Sequence, residues 1–260
     1  MQIKSYDWFI NRENNKPCLV AGTAPTIVNF PYRRFKGIYI TCGDGPVRLK
    51  DLFQPHYWVN ANNIFPVPEL HLDIINSFLE TIFIFADSVT YSRQHINLSF
   101  LENELKVNWF AYDQRHFNHR PCGTNLFCCE LLDIYPDRDT LQELIQKRYK
   151  TVNHYSSGDT VAIHALAFAI ILGCNPIYLQ GIEIPLYQHE YIHRGESPTC
   201  ISDRKSVFYK CISRILADFK YLIDVAYEND IEVYNLSHTS TLNQIDSLKY
   251  MDPLKCYSRK

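Results

Sequence analysis

The sequence predicts an α/β fold: a Rossmann-like, mostly parallel sheet with helices on both faces, plus a lid-like segment. Three observations predict it. The stretch 155–183, YSSGDTVAIHALAFAIILGCNPIYLQGIE, reads as a polar turn, a helix apolar nearly all round, a glycine stop and a strand rich in branched and aromatic residues. A helix apolar on every side is buried in a core. Between residues 18 and 60, strand-like runs alternate with polar loops and one helical segment, which is the rhythm of an α/β sheet. An amphipathic pattern over 204–228 then leads into a last apolar run at 231–236.

Each element has a local reason. Cys18 to Ala21 forms a short buried strand, and Gly22, Thr23, Ala24, Pro25 and Thr26 form a tight loop after it. Residues 38–41 make a second strand, with Cys42-Gly43-Asp44-Gly45 as its closing loop; Pro46 suits the first turn of a helix through residue 53. A third strand over 56–59 ends in Asn60. A helix is expected over 69–79, strands over 81–85 and 107–113, and a helix over 140–150. Ser156 or Ser157 can cap the helix predicted over 159–172, which Gly173 ends. Pro176 opens the run IYLQGIEI, which closes in Gly181 and Glu183. Residues 1–16 are polar and read as a frayed or edge segment, and a short helix is expected before Met251.

Size and charge narrow the function classes. The 260 residues suit one nucleotide-binding α/β domain over 1–260, with the lid-like segment at about 184–202. A net charge of -2 gives no electrostatic footprint for duplex nucleic acid, so no nucleic-acid partner is expected. Nine cysteines without regular spacing point to free thiols in a reducing compartment. The N-terminal stretch lacks the apolar core of a signal peptide, and the run 161–172 is too short to span a bilayer. The expected location is cytoplasmic, compatible with peripheral contact at an inner membrane and with a homo-oligomer.

Open α/β sheets bind ligands beyond the carboxyl ends of their strands. That rule selects the loop Gly22 to Pro25, Asp44, Asn60, Gly181 and Glu183, while Ser157 and Gly158 stand at a helix N-terminus suited to an anion. Small residues let backbone N–H groups approach a phosphate, although the same residues make ordinary turns. The run His189-Glu190-Tyr191-Ile192-His193 matches the H-E-x-x-H zinc signature. Pro185 and Gly195 leave room for only about two turns of helix around it, against the stable helix such a metal site requires. Arg115, His116, His119 and Arg120 form a local basic patch, and His164, inside the apolar helix, reads as a core histidine.

These blocks resemble the bacterial sialyltransferases of glycosyltransferase family 42. SSGDTVAIHALAFAIILGCNPIYLQGIEI is similar to that family's Thr-Ser-Gly turn, alanine-rich helix ending in Leu-Gly, and strand closing in Gly-Ile-Asp. AGTAPT resembles its Ala-Gly-x-Gly-Pro-Ser loop, and IEVYNLSHTSTL its closing strand and serine-containing loop. The resemblance implies a metal-independent transfer of a sialic-acid-like sugar from a CMP-linked donor to a glycan or lipid-linked glycan hydroxyl, with no cofactor beyond the donor. It implies that Gly22, Thr23, Ala24, Pro25, Asp44, Asn60, Ser157, Gly158, Gly181 and Glu183 hold the nucleotide. It further implies that Tyr187 and Tyr191 donate to the departing phosphate, and that His193 or His189 is the base.

The same blocks also resemble the domain shared by motility-associated glycosyltransferases and 6-hydroxymethylpterin pyrophosphokinase, which implies an ATP- and magnesium-dependent alternative. That branch places an aspartate where this chain has Asn60. Within the first resemblance, Ala24 replaces a glycine, Glu183 replaces an aspartate, and Pro185 stands where a tyrosine is expected. A zinc hydrolase built on the histidine run is the third class.

Overall fold

The computed structural model describes residues 1–3, 5–43, 45–60, 68–86, 102–112, 160–183 and 215–256. The predicted lid-like segment, the helix expected over 140–150 and the basic patch lie outside these residues.

Among the described residues, eight strands form one sheet: β1 (Cys18–Ala21), β2 (Ile38–Cys42), β3 (Tyr57–Asn60), β4 (Ile82–Ala86), β5 (Asn108–Tyr112), β6 (Ile177–Gln180), β7 (Val233–Asn235) and β8 (Lys249–Tyr250). Their order is β5-β4-β3-β2-β1-β6-β7-β8, and every pairing is parallel. The chain lays strands outward from β1 in one direction, returns to the far side of β1, and builds outward again. Strand β8 replaces the helix expected before Met251; the run instead makes a single turn at Thr241–Gln244 and then pairs with β7. Its two residues are both exposed, so no apolar period announced it.

Helices cover the sheet, among them α1 (Gly45–Leu49), α2 (Pro68–Asn76), α3 (Val161–Ile171) and α4, helical over 215–228 among the described residues. Alternate strand residues divide between two cores. Cys18, Val20, Ile40, Tyr57, Val59, Ile177 and Leu179 pack with α3 and α4. On the opposite face, Leu19, Ala21, Tyr39 and Tyr178 pack with Leu49 of α1, while Trp58, Phe83 and Phe85 pack with Leu72 and Ile75 of α2. Helices thus lie on both faces, as expected. Helix α1 is shorter than the 46–53 segment predicted, and α3 begins at Val161 rather than residue 159. Cys18, Cys42, Cys174 and Cys256 are buried thiols outside any disulfide. Among the described residues, no helix is long and apolar enough to cross a membrane.

The N-terminal segment is not frayed. Met1 to Ile3 runs along β5, with Ile3 N–H donating to the Trp109 carbonyl at 2.7 Å and Trp109 N–H to that of Met1 at 3.0 Å. The chain then caps the C-terminal end of α3. The N–H groups of Asn11, Glu13 and Asn15 donate to the carbonyls of Ile171, Leu172 and Gly173 at 2.9–3.0 Å. Helix ends leave carbonyls without partners, and here a distant segment supplies the donors. Gly173 turns out of the helix at φ 74, and a side chain there would meet Asn11 Oδ1 at 2.8 Å.

Glu13 anchors this segment. Its carboxylate accepts from the Tyr57 hydroxyl at 2.7 Å and from Lys16 Nζ at 2.8 Å. Burial alone would raise the Glu13 carboxyl; the hydrogen bonds from Lys16 and Tyr57 and the charges of Lys16 and Arg12 carry it below its ordinary value of 4.5. A carboxyl held lower in the folded chain stabilises it above the unfolded value, and that contribution is lost as pH falls through the folded one. Tyr57→Phe is therefore expected to cost about 1.5–3 kcal/mol at neutral pH, the range for a hydrogen bond to a charged group. The difference from wild type should shrink as pH falls below 4.5, as urea titrations at successive pH values would measure.

Candidate functional site

In an all-parallel sheet every strand ends at the same edge, and the crevice for a ligand opens where the strand order reverses. Here the reversal lies between β1 and β6, whose last residues Ala21 and Gln180 are register partners. Immediately beyond them the two backbones touch. Gly22 N–H donates to the Gln180 carbonyl at 2.8 Å, and Ala24 N–H to the Gly181 carbonyl at 3.0 Å. A Cβ on Gly22 would lie 2.2 Å from the Gly181 carbonyl oxygen. Gly181, at φ 72, has the Ile27 Cβ only 2.9 Å from where its own would be. The small residues of this loop thus serve first to bring two strand ends into contact. Pro25 then opens a single-turn helix, Pro25–Asn29, which seats Ile27 in the core.

The neighbouring strand ends complete the edge. Cys42 Sγ donates to the Ala21 carbonyl at 3.6 Å, tying β2 to β1. Gly43 N–H donates to the Val59 carbonyl at 3.1 Å, and Trp58 Nε1 donates to the Gly43 carbonyl at 2.7 Å. Thr23, half-buried, stands beside Gly45, since a Cβ on Gly45 would come within 3.5 Å of Thr23 Cγ2. A Cβ on Gly43 would sit 3.7 Å from Val161 Cγ1, so α3 begins beside this loop. Asn60 ends β3, fully buried, in register with Phe85 of β4.

Glu183 follows β6. It is 4% exposed; Thr26 Oγ1 donates to its Oε1, and its Oε2 has no hydrogen-bond partner among the described residues. Two further buried polar atoms near this edge lack partners among the described residues: Gln180 Oε1 and Thr41 Oγ1. Both residues are register partners of Ala21, so the three form one row across β6, β1 and β2. A buried polar atom without a partner is uncommon and calls for a cause. The loop after β7 closes the far side: Ser240 Oγ donates to the Ile182 carbonyl at 2.7 Å, and Asn235 Nδ2 donates to the Ser237 carbonyl at 2.9 Å.

Of the residues selected from the sequence, Gly22, Thr23, Ala24, Pro25, Asn60, Gly181 and Glu183 all lie along this carboxyl edge. Asp44, Ser157, Gly158, Tyr187, Tyr191, His189 and His193 lie outside the described residues, and so does the whole His189–His193 run. Among the described residues, no three histidine, cysteine or acidic side chains gather as a metal site would require. The sequence reading placed Thr26 in the loop after β1 and Ser240 in the closing serine-containing loop without giving either a role of its own, and it passed over Gln180 and Thr41. Gln180 carried a usable signal, as the one amide in an otherwise apolar buried strand. Thr26 carried none, because its partner is 157 residues away.

The fold and its reversal point define a doubly wound α/β protein. No family model and no curated protein sequence matches the chain. Among solved structures, the chain is similar in fold to a single-residue variant of the sialyltransferase CST-II in complex with CMP, with a TM-score of 0.50 and 15% identity over 92% of this chain and 88% of that one. CST-II with a trisaccharide acceptor and CMP gives a TM-score of 0.47 at 18% identity, covering 90% and 86% of the two chains. The monofunctional alpha-2,3-sialyltransferase Cst-I from Campylobacter jejuni gives 0.45 at 18% identity, covering 96% and 84%. The similarity is one of fold, and the fold expected from the sequence resemblance is the one found.

Proposed function

We propose that this chain is a sialyltransferase-like glycosyltransferase, moving a sialic-acid-like sugar from a CMP-linked donor to a glycan hydroxyl without a metal. The observation that supports this best is the placement of Thr23, Asn60 and Glu183 on one carboxyl edge, with a buried Glu183 oxygen left without a partner. A fold hosts many activities, so the reading rests on these residues and not on the architecture alone. The nucleotide lies across Gly22 to Pro25, Asp44, Asn60, Ser157, Gly158 and Gly181, and Glu183 accepts from a ribose or sugar hydroxyl. The bond between the anomeric carbon and the phosphate oxygen breaks, and CMP departs with the electron pair. Tyr187 and Tyr191 donate to that phosphate, where charge grows in the transition state. His193 or His189 takes the proton of the acceptor hydroxyl as its oxygen bonds to the anomeric carbon.

Thermal unfolding with CMP, CDP, UDP and ATP, each with and without magnesium, tests the reading. CMP at a hundred times its Kd should stabilise the fold by about 2.7 kcal/mol, roughly 5–10 °C in Tm, with EDTA present. Stabilisation by ATP only when magnesium is added would replace this reading with the pyrophosphokinase-like one. Stoichiometric zinc in the purified protein would favour the hydrolase.

A further inference from the structure

We propose that Thr26 is a positioning residue of the crevice, fixing the Glu183 carboxylate so that one oxygen alone is offered to a ribose hydroxyl of the bound nucleotide. The inference rests on the nucleotide reading above and adds to it a residue and a selectivity. Thr26 is tied to the β6 side at two points. Its hydroxyl donates to Glu183 Oε1, and its carbonyl accepts from Gln180 Nε2 at 2.8 Å. Gln180 is 1% exposed, so the donor side of this second tie is buried. A free glutamate carboxyl rotates broadly about its last torsion and offers either oxygen. With Oε1 engaged, that rotation is stopped and Oε2 keeps one direction.

Glu183 Oε2 is a buried acceptor with no donor among the described residues. Leaving such an atom bare is unfavourable, a cost that a ligand's donor removes on binding. An anionic phosphate cannot be that donor, because it would repel the carboxylate. Among the described residues, no cluster of acidic, histidine or cysteine side chains completes a cation site around it. A hydroxyl is a donor of the right kind, and a nucleotide lying across the loop Gly22 to Pro25 carries two on its ribose. A site that hydrogen-bonds a hydroxyl rejects the analogue lacking it strongly, because the protein group is then left unpaired.

The test compares binding of CMP and 2′,3′-dideoxy-CMP by calorimetry for the full-length chain and for Thr26→Val, Thr26→Ser and Glu183→Gln. Wild type should prefer CMP by about tenfold or more. Thr26→Ser should keep that preference, while Thr26→Val and Glu183→Gln should lose most of it and bind dideoxy-CMP as wild type does. Thr26→Ala replaces the valine variant if melting shows the latter unfolded. A Thr26 variant without the hydroxyl that keeps the full preference, or that loses affinity for both nucleotides alike, overturns the proposal. Equal binding of both nucleotides by wild type overturns it while leaving the nucleotide reading intact; no CMP binding at all removes both.

Discussion

Gly22→Ala is expected to part the two strands at the point where the sheet reverses, with loss of CMP binding and a stability cost of about 2–4 kcal/mol. The reason is a contact with nothing flexible in it. The new methyl would lie 2.2 Å from the Gly181 carbonyl oxygen and 2.8 Å from its carbon, both backbone atoms. Relief requires β1 or β6 to move, and that breaks the Gly22 N–H bond to Gln180 and the Ala24 N–H bond to Gly181. Moving this loop also carries Thr26 away from Glu183. Gly43→Ala is the contrasting case. Gly43 has φ 59, a conformation strained for alanine, yet the nearest atom to its Cβ position is 3.7 Å away. Its cost should stay near the 1–2 kcal/mol of a left-handed alanine. Urea titrations of both variants measure the difference, and equal costs would show that β1 and β6 part without penalty.

Strands with a strong internal pattern were readable from the sequence. Six of the eight were expected within a residue or two, because each is a short apolar run bounded by turn residues; β6 was expected over 177–184 but ends at Gln180, and β8 escaped because it has neither feature. Helix α3 was legible from its uniform apolarity. What the sequence could not show is long-range pairing. Asn11 and Asn15 are exposed, and nothing in their side chains announces that their backbone N–H groups, with that of buried Glu13, reach the carbonyls that end α3. Likewise, the loop Gly22 to Pro25 suggested a cradle for phosphate, whereas its N–H groups at Gly22 and Ala24 already serve β6. The strand-end rule correctly brought Thr23, Asn60 and Glu183 to one edge because it depends only on strands being parallel. Thr26 and Gln180 depend on which strand lies next to β1, and no local signal carries that information.

The same long-range packing sets the largest expected stability loss, at Phe168. This side chain, fully buried on α3, has its ring 5.6 Å from that of Phe9 in the N-terminal segment and 6.4 Å from that of Phe110 on β5, centroid to centroid. Phe9 and Phe110 are themselves 5.0 Å apart, so the three rings close a triangle joining helix, sheet and capping segment. Edge-to-face pairs such as these add to the area that each ring buries. Phe168→Ala should therefore cost about 3–5 kcal/mol, the range for removing a buried phenylalanine and leaving a cavity. The urea midpoint should fall with little change in slope. Because Phe9 lies two residues before the first of the donors that cap α3, the cap should loosen too. Hydrogen exchange at the amides of Asn11, Glu13 and Asn15 should accelerate more than at β7, which lies away from the triangle. Uniform acceleration across the sheet would mean instead that the segment opens only with global unfolding.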